Sequence, residues 1–82
     1  MNTIKRKQNE AEFEHWEELS EGGRKYWFDV KGKVSGFARY IKEVNCEEET
    51  VSFIQEIYNN EGELTDRHEK YPIDKGHQKL KS

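Results

Sequence analysis

The chain predicts an α+β fold: one N-terminal amphipathic helix packed on a four-stranded antiparallel β-meander, with the last strand at an edge and a polar C-terminal tail. Three observations carry this. Large apolar residues recur at helical spacing once, near the N-terminus, and at a period of two thereafter. The connections between the period-two segments are short and rich in Gly, Asn and Ser, so sequential strands must run antiparallel; a parallel pair needs a crossover of about a dozen residues. A length of 82 residues fits one domain with a single layered core.

Residues 1–8 are polar without an apolar period and read as a flexible arm ahead of the folded domain, 9–72. Asn9 followed three residues later by Glu12 has the form of a capping box, and Gly22 and Gly23 supply a C-terminal stop. Between them Phe13, Trp16 and Leu19 form an apolar stripe opposite a face of glutamates, which predicts a helix of about three turns.

From Arg24 onward four segments have strand length and are rich in aromatic and β-branched residues: RKYWFDV, FARYIKEV, TVSFIQEIYN and LTDRHEKY. Gly32, Ser35 and Gly36 punctuate the first connection, Asn45 to Glu48 the second, and Asn59 to Gly62 the third. Alternation places Tyr26, Phe28, Val30, Phe37, Ile41, Val51, Phe53, Ile57 and Leu64 on one face, assigned to the helix and the core. The other face then carries Trp27, Tyr40, Val44, Ile54, Tyr58 and Tyr71, interleaved with Lys42, Glu56, Arg67 and Glu69. Asp66, His68 and Lys70 fall on the same side as Leu64, so the last strand lacks an apolar face; that predicts an edge, ended by Pro72. Residues 73–82 read as a polar tail.

Composition narrows the function. Charged residues make up 38% of the chain and hydrophobic ones 32%, which predicts a thin core built on two Trp, four Tyr and four Phe. A domain with so little core gains from a bound partner or a second copy of itself. The formal charge of −3 disfavours nucleic acid as a partner, because affinity for phosphates comes from a basic balance. No apolar run long enough for a signal peptide or membrane span occurs, which predicts no membrane association. The single cysteine, Cys46, excludes an internal disulfide, and the cytoplasm is the expected compartment.

Two candidate sites follow. The aromatic second face offers Trp27, Tyr40, Tyr58, Arg67 and Tyr71, residue types enriched at interface hot spots. It predicts a small interaction module that is not an enzyme and binds another protein or its own copy. The stretch DRHEKYPIDKGHQKL offers Arg67, His68, Glu69, Tyr71, Asp74 and His77. This is the kit of a general acid, a general base and a cation for a phosphate transition state. It supports an alternative: a minimal, toxin-like, metal-independent protein that binds or cleaves RNA. Side chains alternate along a strand, so this cluster converges only if the tail folds back. No metal is predicted, since His15, His68, His77 and Cys46 lack the close pairing of zinc ligands. No phosphate loop or dinucleotide fingerprint occurs, so no cofactor is expected.

Overall fold

Helix α1 (Thr3–Glu12) begins where Asn2 accepts a hydrogen bond from the Lys5 backbone N–H at 3.0 Å. In this computed structural model, residues 2–73 are described, together with the backbone of 76–79. Lys, Arg, Gln, Glu and Ala fill the body of α1, residues that lose little side-chain freedom in a helix. The helix closes at Phe13, whose N–H donates to the Asn9 carbonyl at 2.8 Å as the backbone becomes extended.

Strands β1 (His15–Glu18), β2 (Arg24–Lys31), β3 (Phe37–Val44), β4 (Thr50–Tyr58), β5 (Leu64–Tyr71) and β6 (Gly76–Lys79) follow in order. They pair in that order as one six-stranded antiparallel sheet. The α+β class and the meander of β2–β5 match the expectation, but several details differ. The helix covers 3–12, including most of what reads as an arm over 1–8. The stretch expected to be helical through Leu19 instead turns into β1, with Trp16 opposite Tyr26 and Glu18 opposite Arg24. Spacings of three among Phe13, Trp16 and Leu19 fit a helix in isolation; pairing with β2 also sets Trp16 against Tyr26 and Arg24 and brings Glu18 to 2.7 Å from Arg24 Nε, contacts that a continued helix would forgo. Gly22, at φ 82°, does stop the chain, but inside the tight turn into β2. Nor is β5 an edge. Backbone 76–79 returns alongside it, so the edges are the four-residue β1 and β6.

The helix packs on one face of the sheet through Phe13. That ring is 2% exposed, 5.7 Å from the Tyr26 ring and 5.3 Å from Phe28, with Val44 and Phe53 completing the core. The same face carries Tyr40 and Lys42 on β3 and Tyr71 on β5. The expected phase of β3 is therefore reversed. Trp27 pairs with Ile41, and Ile41 with Ile54, so Ile41 and Phe37 point away from the helix while Tyr40, Lys42 and Val44 point towards it. Bulges at Glu43/Val44, Phe53/Ile54 and Ile57/Tyr58 shift the phase again. Tyr71 thereby lies opposite Phe53, and Leu64 opposite Tyr58. Val30 and Val51 are about half exposed and contribute little core.

A buried carboxylate ties helix to sheet. In the β3–β4 turn the Asn45 side chain accepts from the N–H groups of Glu47 and Glu49, each at 3.0 Å, and Glu48 adopts a left-handed φ of 62°. This turns the Glu48 side chain inward. It accepts from Arg6 Nε at 2.6 Å, Asn9 Nδ2 at 2.9 Å and Tyr26 Oη at 2.8 Å. Lys42 Nζ then donates to Asn9 Oδ1 at 3.0 Å. Asn9, expected to cap the helix, is instead a buried member of this network.

Candidate functional site

The sheet face opposite the helix is built in rows, because directly paired residues of antiparallel strands share a face. One row runs His15, Trp27, Ile41, Ile54 and Glu69 from β1 to β5. The next runs Asp29, Arg39, Glu56 and Arg67 from β2 to β5. Beyond it Phe37 on β3 lies opposite Tyr58 on β4.

The second row is a belt of alternating sign. Arg39 donates to Asp29 through two parallel bonds, Nε to Oδ1 at 2.8 Å and Nη2 to Oδ2 at 3.0 Å. These bonds outweigh burial, hold the Asp29 carboxyl below its ordinary pKa and raise that of Arg39. The Arg39 guanidinium also lies 5.6 Å from the Phe37 ring and 5.7 Å from that of Tyr58, and the two rings stack at 4.7 Å. Tyr58 Oη donates to Glu56 Oε1 at 2.7 Å. Burial, with this bond to a carboxylate, pushes the Tyr58 phenol up to about 12. A spectrophotometric titration of the folded chain should therefore find a tyrosine ionising well above the ordinary value near 10. Tyr58→Phe should shrink that component by one tyrosine, leaving the raised phenol of Tyr26; an unchanged curve would contradict the Tyr58–Glu56 contact.

The first row is apolar at its centre. Trp27 stacks on His15 at 5.6 Å, with Lys25 Nζ 6.0 Å from its ring. Ile41 is 6% exposed, with Trp27 and Ile54 directly beside it on the neighbouring strands. Glu17, Lys25, Trp27, Arg39, Ile41, Glu56 and Tyr58 line a shallow hollow of about 380 Å³ across both rows.

Of the five residues expected at an interface, Trp27, Tyr58 and Arg67 share this face. Tyr40 and Tyr71 do not. Tyr40 is stacked between Phe28 at 5.1 Å and Phe53 at 6.3 Å on the helix side, and accepts from Gln55 Nε2 at 3.1 Å. Tyr71 joins Phe13, Phe53, Lys5 and Lys42 around a hollow of about 500 Å³ beside the helix. The five residues of the RNA-cleaving alternative are also divided. Arg67 and Glu69 lie on the open face, whereas His68, opposite Gln55, and Tyr71 lie on the helix side. His77 is paired with His68 in the backbone register, but its side chain and Asp74 lie outside the described residues.

No family profile, curated protein or solved structure matches this chain. Among the described residues no three His, Cys, Asp or Glu side chains gather as a metal-ligand set, and no helix is long and apolar enough to cross a membrane.

Sequence reasoning passed over Asp29, Arg39, Phe37 and Ile41 as members of this face. The signal was the β2–β3 hairpin: counting outward from its loop with Lys31 opposite Phe37 brings Asp29 opposite Arg39 and Trp27 opposite Ile41.

Proposed function

We infer that this chain is a protein-docking module acting through the sheet face opposite the helix. The observation that carries the reading is the make-up of that face. A central apolar row of Trp27, Ile41 and Ile54 and the Phe37–Tyr58 pair flank a charge-balanced belt on the face away from Phe13 and the helix, and all but Ile41 keep part of their surface accessible. Aromatic and Arg anchors around an apolar centre are what interface hot spots are made of. Balance matters too: two acids alternate with two bases along the belt, so the face offers no excess of positive charge to a phosphate backbone. The division of Arg67 and Glu69 from His68 and Tyr71 favours docking over RNA cleavage, because acid, base and cation must reach the same reacting group. The setting proposed is the cytoplasm, supported by the single cysteine.

Affinity capture followed by titration with the purified partner tests this. Trp27→Ala and Tyr58→Ala should each weaken binding by about 2 kcal/mol or more. Unchanged affinity in both variants would contradict the reading.

A further inference from the structure

We propose that the open sheet face binds a second copy of this chain about a two-fold axis that runs parallel to the strands, between β3 and β4. This rests on the docking reading above and names its partner. Across the sheet the charges run Asp29, Arg39, Glu56, Arg67, which is minus, plus, minus, plus. Rotation about an axis along the strands keeps each row at its own height and reverses its direction. The reversed belt reads plus, minus, plus, minus, so Arg39 meets Glu56 of the second copy and Asp29 meets Arg67. The same operation lays Ile41 over Ile54 and Phe37 over Tyr58. An axis along the belt would instead place each charge over its own counterpart, which is repulsive. A self-complementary patch of this kind is what a two-fold interface requires.

Two packed sheets cross at about 30° rather than running parallel, so the match is closest near the axis. The residues there are Arg39, Glu56, Ile41 and Ile54. The available area is adequate for a modest dimer. Strands β2–β5 cover about 19 Å by about 26 Å, roughly 500 Å² per copy and about 1,000 Å² for the pair, at the lower limit for a specific interface. An interface of this modest size makes a reversible, concentration-dependent dimer.

Sedimentation equilibrium of the full chain is the test. The apparent mass should rise with concentration from 9.8 kDa towards about twice that value. Arg39→Glu and Glu56→Arg each bring like charges together across the axis and should sediment as monomers. Mixed in equal amounts they should recover the dimer: the new acid of one chain faces the new base of the other, while the unaltered Glu56 and Arg39 face each other. Dimeric single variants, or a mixture that stays monomeric, would overturn this axis.

Both substitutions also place like charges side by side within one sheet, so amide shifts of the unaltered chain on dilution supply a second measurement. Shifts at Ile41, Ile54 and Tyr58, with α1 unmoved, support the arrangement; shifts confined to the helix side overturn it. A chain monomeric throughout also overturns it. If that monomer still binds another protein in a Trp27-dependent way, the docking reading survives with a different occupant; if it does not, both fall.

Discussion

Glu48→Ala should lower the unfolding free energy by about 3–5 kcal/mol in chemical denaturation, the range for removing one partner of a buried, hydrogen-bonded charge pair. The Glu48 carboxylate is 0% exposed at its ion pair with Arg6, and it also accepts from Asn9 and Tyr26. Removing it leaves a guanidinium, an amide and a phenol facing an apolar methyl. Small domains are stable by only about 5–15 kcal/mol, so this variant should lose a large share of the total and unfold at a clearly lower denaturant midpoint. Glu48→Gln keeps the shape and loses the charge, and should fall between the two. A loss under about 1 kcal/mol would mean that the network does not hold the helix, since that is the worth of an ordinary exposed pair.

The same residue sets a pH dependence. Burial alone would raise the Glu48 carboxyl, but the bonds from Asn9, Tyr26 and Arg6 outweigh it and hold the pKa below its ordinary value. A folded pKa below the unfolded one, near 4.3, means the stabilisation is fully present above that value and is lost as pH falls through the folded value. Acid should therefore loosen the wild-type chain, and Glu48→Gln should flatten that part of the profile. Tyr26 acts at the other end. Burial and the bond to Glu48 raise its phenol, so its contribution is intact below about 10 and fades as pH climbs through the folded value.

Phe13→Ala should cost about 3–5 kcal/mol, the usual range for truncating a fully buried aromatic ring. Phe13 is the buried apolar side chain that α1 delivers to the sheet, seated against Tyr26 and Phe28. Its loss should release the helix, visible as a drop in helical circular dichroism and rapid exchange of the 6–13 amides. Because Phe13 and Glu48 hold the same helix, the double variant should lose less than the sum of the singles. Full additivity would mean that the two contacts act independently, contrary to a shared clip.

The strands β2–β5 were legible because period-two alternation, aromatic and β-branched residues and Asn/Gly connections agree over each of them. The placement of the helix was not. Phe13, Trp16 and Leu19 suit either a helix or the edge of a strand. The local signals at Asn9, Glu12 and Gly22 imitate caps that tertiary pairing leaves unused. In β3 both faces carry apolar residues, Phe37 and Ile41 on one and Tyr40 and Val44 on the other, so only its neighbours fix which face is which. Trp27, Tyr58 and Arg67 were recognisable as one group by residue type; their belt partners Asp29 and Arg39 emerge only once register is known. Glu48 had no signal at all. It is one of three consecutive glutamates, and only the left-handed backbone of its turn separates it from Glu47 and Glu49, which remain exposed.

Hydroxyl-radical footprinting tests directly whether the face carrying Trp27 is a docking surface, with an internal control. The two tryptophans sit on opposite sides of the sheet, Trp16 towards the helix side beside Tyr26 and Trp27 on the open face. Oxidation would be compared between the dilute chain, the concentrated chain and the chain captured from lysate. Trp27 and Tyr58 should lose reactivity severalfold in the concentrated or captured samples while Trp16 keeps its own. Trp27 oxidised equally in all three would contradict it.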